Sequence, residues 1–238
     1  MMQLLNLHNI LFLDIETVPE RADFSELSAP MQELFDQKTR YQRKEDQTAQ
    51  DFYHKAGIWA EFGKIICISV GFLAHSEGKE LFRVKSFSGD EAQLLKDFKN
   101  LLEQHFYKPE HLLCAHNGKE FDYPYIARRM IINRITVPEK LSLFGKKPWE
   151  VAHLDTMEMW RFGDYKNFTS LKLLTAILGI PSPKEDIDGS EVRDTFYEKK
   201  DLERIVRYCE RDVVAIAQVL LTFQNKALLN EDQIIIVD

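Results

Sequence analysis

Asp14 and Glu16 stand two residues apart at the end of an apolar run, NILFLDI at 9–15. Side chains two apart on an extended strand point to the same side. Two carboxylates therefore emerge together where the strand ends. Stripped of water and held side by side they repel, unless a cation or a proton comes between them. Oxygen-rich sites of this kind suit hard divalent ions. The Asp-x-Glu spacing recurs at Asp201 and Glu203, but there it opens a polar helical turn and reads as a helix cap.

A third carboxylate is placed by helical geometry. Along the segment 200–225, Cys209, Ile216, Val219, Leu220 and Phe223 fall on one stripe with Ile205. At about 100° per residue, Asp212 lies about 340° round the wheel from Ile205, inside that stripe. A carboxylate facing the core needs a metal, a base or strong donors opposite it. Tyr208, one turn earlier, aims its hydroxyl at the same place. Taken singly, Asp212 fits a buried Asp bonded to backbone amides equally well, and Tyr208 fits a core tyrosine. Asp122, beyond the turn-forming Asn117 and Gly118, sits where a helix starts and would on its own be a cap.

The elements that must carry these residues follow from pattern. The run at 9–15 reads as a strand covered on both faces. KIICISVGFLA at 64–74 and LFRVKSF at 81–87, joined through Ser76, Glu77 and Gly78, read as an antiparallel hairpin. Ser88 and Glu91 have capping-box spacing ahead of Leu94, Leu95, Phe98, Leu101, Leu102 and Phe106, which recur at helical intervals. A strand at 112–116, a helix from the Asp122 region to about 135, a last strand at 151–156 and a helix begun by Thr169 or Ser170 complete the alternation. A linker rich in Pro, Asp and Gly precedes the long helix at 200–225. This order predicts an α/β fold with a mixed sheet flanked by helices. The polar stretch at about 20–63 reads as a helical or loop insertion in one domain spanning 1–238.

The 238 residues are 45% hydrophobic and 29% charged, with a net charge of −7. That balance fits one globular domain and argues against gripping nucleic acid by bulk charge. Local basic groups remain: Arg40, Arg43 and Lys44; Arg128 and Arg129; Lys146 and Lys147. They are candidates to follow a phosphate backbone, or are simply solvated surface. No apolar stretch has the length of a membrane span, and the N-terminus shows no secretory signal. Cys67, Cys114 and Cys209 lie far apart in apolar runs and read as reduced core thiols. A cytoplasmic protein without membrane association is expected.

Together and in order, LDIET at 13–17, HNGKEFDYPYI at 116–126 and YCERD at 208–212 resemble the motifs of the DEDDy 3′-5′ exonucleases. The likeness is closest to the proofreading domain of family-B DNA polymerases and to the stand-alone family of predicted polymerase-B-like exonucleases. FGKIICISVGF, HLDTMEMWRF, SLKLLTAILGI and DIDGSEV extend it over most of the chain. Arg207 stands where a histidine branch would carry its base, so the chain is similar to the tyrosine branch.

The resemblance implies a ribonuclease-H-like mixed sheet of five strands and metal-dependent removal of nucleotides from the 3′ end of mainly single-stranded DNA. It implies two divalent ions, Mg²⁺ or Mn²⁺, with Asp14 bridging them, Glu16 and Asp212 completing the first site and Asp122 holding the second. Tyr208 would orient the attacking water. Thr17, Asn117 and Phe121 would touch the terminal nucleotide, the Phe by stacking. RNA 3′-end trimming, or an inactive nucleic-acid or protein-binding module on the same fold, are the alternatives. With no polymerase segment in these residues, a protein partner that delivers substrate is expected, and the 20–63 segment is its candidate contact.

Overall fold

The strand that carries Asp14 and Glu16 runs through the middle of the sheet and is buried on both sides. A computed structural model describes residues 5–76, 78–181 and 187–237. Its strands are β1 (Ile10–Pro19), β2 (Gly63–Ser76), β3 (Lys79–Ser88), β4 (Leu112–Ala115), β5 (Leu154–Asp155) and β6 (Ile234–Val237). They lie in the order β5-β4-β1-β2-β3-β6. β1 is antiparallel to β2 and β2 to β3, whereas β4 and β5 continue parallel to β1, and β6 runs parallel to β3. The result is a mixed sheet of the ribonuclease-H-like kind with six strands, one more than expected. The extra strand, IIIV at 234–237, is an apolar run too short to signal a strand without the β3 edge to pair with.

Eight α-helices surround the sheet among the described residues: α1 (Ala29–Thr39), α2 (Ala49–Phe52), α3 (Glu91–His105), α4 (Asp122–Ile132), α5 (Thr156–Arg161), α6 (Leu171–Ile177), α7 (Val192–Tyr197) and α8 (Leu202–Phe223). Alternation along β1 sorts its residues between two cores. Leu11, Leu13 and Ile15 pack with Leu94, Phe98 and Leu102 of α3 and Tyr123, Ile126 and Met130 of α4. Ile10 and Phe12 pack with Val213, Ile216, Ala217 and Leu220 of α8. No described helix is long and apolar enough to cross a membrane.

Several local expectations shift for identifiable reasons. Asp90, not Ser88, caps α3 by accepting from Gln93 N–H. Glu91 is thereby free to accept from Ile65 N–H at 2.7 Å and from Arg129 Nε at 2.8 Å. Arg129 is 4% exposed and also donates to Ala60 O and Glu20, so it holds the fold together and is closed to a phosphate backbone. Arg43 is likewise spent on Asp36, at 2.6 Å. The strand expected at 151–156 shrinks to two residues, because a 3₁₀ turn precedes it and the Asp155 side chain already caps α5. Ser170 caps α6, and Asp201 caps α8 by accepting from Arg204 N–H.

Residues 20–62 contribute α1, α2 and a small aromatic cluster of Phe35, Phe52, Tyr53 and Phe62 against the end of β1. Glu77 of the hairpin turn and the linker residues 182–186 lie outside the described residues.

Candidate active site

The side of β1 that faces α8 reads Ile10, Phe12, Asp14, Glu16, so the apolar floor under the helix turns acidic at its end. The β1–β2 register shifts between Glu16 and Thr17, where Ile66 is the extra residue on β2. The bulge bends the pair immediately after the two carboxylates. Glu16 is 8% exposed, and Asp14 is partly accessible.

From α8, Cys209 approaches this pair. Its Sγ lies 3.4 Å from both the carbonyl oxygen and Oδ2 of Asp14. One ligand-capable atom from each of Asp14, Glu16 and Cys209 can be chosen so that all lie within 4.8 Å of one another. Burial pushes the Cys209 thiol well up. It therefore stays protonated and donates to Asp14, where a thiolate would add charge.

Asp122 opens α4 and is 3% exposed. Its carboxylate accepts from its own N–H and from that of Ile15, which ties the helix start to β1. The preceding turn is built by Asn117, held at φ 65°, and Gly118, where a Cβ would come within 2.4 Å of the Ala115 Cβ. Asp155 fastens this turn from β5. Its Oδ1 accepts from the backbone N–H of Asn117, Met157 and Glu158 at 3.0, 3.0 and 3.1 Å, and its Oδ2 from Lys119 N–H at 3.1 Å.

Electrostatics shows that the four carboxylates converge. Asp14 is raised well above the usual carboxylate range by burial, then by Asp212, Glu16 and Asp122. Glu16 is raised by burial, then mainly by Asp212, with Asp122 adding to it. Asp122 is pushed up to about 8 by burial, with Asp155 and Asp212 adding and its backbone hydrogen bonds opposing. The largest upward influences among the described residues are burial and carboxylates. Tyr208 is raised by burial and by Asp212, Glu16 and Asp14, and its hydroxyl is hydrogen-bonded to Asp212.

The structure thus brings Asp14, Glu16, Asp122, Asp212 and Tyr208 together. The other three candidates are placed differently. Thr17 donates to the Tyr125 hydroxyl, which itself donates to Gly57 O at 2.8 Å, so the threonine hydroxyl already has a partner. Phe121 stands half-buried as the residue before α4, without a capping bond, its ring 5.3 Å from that of Tyr125. Asn117 has a buried Oδ1 with no hydrogen-bond partner.

That orphaned oxygen and the mutual repulsion of the carboxylates are what a site looks like when its design includes a ligand. Hard oxygen donors of this kind fit a divalent cation.

A mixed sheet with carboxylates meeting from a central strand, a helix start and a crossing helix defines a nuclease-type domain of the ribonuclease-H-like class. Residues 58–233 match the family model described as a predicted 3′-5′ exonuclease related to the exonuclease domain of PolB, and the chain belongs to that family. The fold is similar to that of the family B DNA polymerase from the hyperthermophilic archaeon Pyrobaculum calidifontis, with a TM-score of 0.51 at 18% identity. That likeness covers 90% of this chain and 24% of the polymerase. The chain is a PolB-exonuclease-like domain with a candidate metal-binding cluster.

Two contributors were not singled out from sequence. Cys209 reads as a core thiol, although its i, i+3 spacing to Asp212 places both on one helical face. Asp155 reads as a strand residue, and its capping role appears only once the 117–119 turn is folded beside it.

Proposed function

We propose that the protein is a metal-dependent 3′-5′ exonuclease that removes nucleotides from the 3′ end of single-stranded DNA. The observation that carries this reading is the meeting of carboxylates from β1, α4 and α8: Asp14, Glu16 and Asp122 are all raised, and Asp212 acts on each of the three. Asp14, Glu16, Asp122 and Asp212 would hold two Mg²⁺ or Mn²⁺ ions. When bound, such ions supply a nucleophilic water near neutral pH and offset charge on the leaving 3′ oxygen.

The chain's own residues do the positioning. Tyr208 is a neutral phenol at any working pH, with its proton engaged by Asp212. Its oxygen keeps a lone pair to accept from the attacking water and aim it at phosphorus. Cys209 fixes the Asp14 carboxylate without adding charge. Asn117 offers its orphaned Oδ1 to a hydroxyl of the terminal nucleotide.

The preference for single strands rests on a cavity of about 320 Å³ beside the 117–121 turn. Lys119, Glu120, Trp149, Asp155, Arg161 and Tyr165 line it. Trp149 and Tyr165 are 69% and 79% exposed, far more than such rings need for packing. Unpaired bases stack on exposed aromatic faces, and paired bases do not present theirs. Arg161, 9% exposed, has a buried Nη2 without a partner.

The test is digestion of 3′- and 5′-labelled DNA and RNA single strands with Mg²⁺, Mn²⁺ or EDTA. A metal-dependent ladder that shortens DNA from its 3′ end is the expected result. Faster trimming of RNA would reassign the substrate, and no cleavage under any condition would leave a binding module.

A further inference from the structure

At the opposite end of the hairpin from the acidic cluster, three side chains that could ligate a metal meet in a second place. His8 lies in a 3₁₀ turn (Leu7–Asn9) just before β1, while His75 and Glu80 face each other as register partners on β2 and β3. One ligand atom from each can be chosen so that all lie within 4.8 Å of one another. Asp14 pairs with Ser69 on β2, and His75 is six residues further along. At about 3.4 Å per residue the two places are about 20 Å apart, so this cluster is separate from the catalytic reading.

The hydrogen bonding of His8 is informative. Its Nδ1 lies 3.2 Å from the carbonyl oxygen of Leu73, which can only accept, so Nδ1 carries a hydrogen. The other ring nitrogen, Nε2, points outward, and Glu80 Oε2 stands 3.2 Å from it. A proton or a metal ion shared by the two satisfies both. The His75 ring lies alongside, 4.6 Å from that of His8 between centroids, and adds a second imidazole. Ligand atoms around tetrahedral Zn²⁺, at about 2.0–2.1 Å from the ion, are about 3.3 Å from one another. The His8–Glu80 separation already has that span.

We propose that His8, His75 and Glu80 form a Zn²⁺ site that clips the turn before β1 onto the β2–β3 hairpin. Two imidazoles and one carboxylate are a borderline-soft donor set, unlike the all-carboxylate cluster. The Leu73 carbonyl fixes the ring and tautomer of His8, as partners of metal-binding imidazoles commonly do. His8 and Glu80 are 35% and 42% exposed in their side chains, and His75 is exposed, so an ion can enter and keep a water as fourth ligand.

The experiment titrates the metal-free full chain with ZnSO₄ and with MgCl₂, following heat and thermal midpoint, and uses Co²⁺ as a spectroscopic stand-in for Zn²⁺. The Asp14→Asn variant serves as background, because it disables the acidic cluster. The expected result is one equivalent of Zn²⁺ bound in that background, with intense visible cobalt bands and a Tm raised by about 5 °C at 100 times Kd. His75→Ala, an exposed position, should weaken this binding at least tenfold, and Glu80→Gln similarly, while Mg²⁺ produces no such effect. Zn²⁺ binding that is absent, or that is undiminished in both variants, overturns the proposal and leaves an imidazolium–carboxylate pair. Neither result depends on nuclease activity.

Discussion

Tyr208 is hydrogen-bonded through its hydroxyl to Asp212, one turn further along α8. The pairing couples the group expected to aim the water to a carboxylate expected to hold metal. Because burial and the surrounding carboxylates raise the phenol, it neither ionises nor serves as a base at neutral pH. Tyr208→Phe should therefore lower kcat by about 100-fold and leave the shape of the pH–rate profile unchanged. Metal-induced thermal stabilisation should survive. A profile that loses its alkaline limb in the variant would show that the phenol titrates in the reaction.

Asp14 is where the carboxylate repulsion concentrates, with Asp212, Glu16 and Asp122 all acting on it. Replacing it with Asn keeps the shape and removes a charge that the metal-free fold can only accommodate badly. Asp14→Asn should abolish cleavage and yet raise stability in EDTA by about 1–2 kcal/mol. The wild type should regain ground on adding Mn²⁺, and the variant much less. Chemical denaturation with and without metal measures both; an Asp14→Asn protein that is less stable in EDTA would contradict the electrostatic account.

Asp122 sets the pH window. Its folded pKa of about 8 lies above the value near 4 that an unfolded Asp has. The folded state holds that proton more tightly, so the group's contribution is fully present below about pH 4 and is lost as pH rises through about 8. Metal-free Asp122→Asn should thus gain on the wild type steadily from pH 5 to pH 8.5. Denaturation midpoints of the two proteins in EDTA across that range test the sign, and a constant difference would refute it.

How much of this was readable beforehand depends on the range of the interactions involved. Asp14 and Glu16 were legible because strand period and apolar flanks are local, and Asp212 because a 22-residue helix fixes its own wheel. The hairpin and the helix after Gly89 were legible for the same reason. The sixth strand was not, since Ile234–Val237 becomes a strand only against Phe82–Lys85. Glu91 misled because its spacing to Ser88 fits a capping box, while its carboxylate is spent on Ile65 and Arg129, far along the chain. Asp155 and Cys209 acquire their roles from partners 36 and 195 residues away.

Asp155 ties β5, α5 and the Asn117 turn together. It accepts four backbone N–H groups and has no comparable substitute among the described residues. Asp155→Ala should cost about 2–5 kcal/mol, the range for losing a cap and stranding buried donors. Asp155→Asn retains one acceptor and should be milder. Because the turn leads into Asp122, faster amide exchange at Asn117 and Lys119 should accompany weaker metal affinity in both. Stability loss without either change would confine Asp155 to capping α5.

The cavity beside the 117–121 turn separates strand binding from chemistry. Trp149 and Tyr165 are exposed and lie outside the four-carboxylate cluster, so removing them leaves the reacting groups intact. A base–aromatic stack is worth about 1–3 kcal/mol, which for one lost ring is a factor of about 5–150 in affinity. Trp149→Ala and Tyr165→Ala should therefore raise KM for a long DNA single strand by about tenfold. Hydrolysis of thymidine 5′-monophosphate p-nitrophenyl ester, which has no upstream bases to stack, should proceed at the wild-type rate. Equal losses on both substrates would mean that the rings support the fold of the site. Wild-type KM on the long strand would place its path elsewhere on the surface while leaving the metal-dependent chemistry untouched.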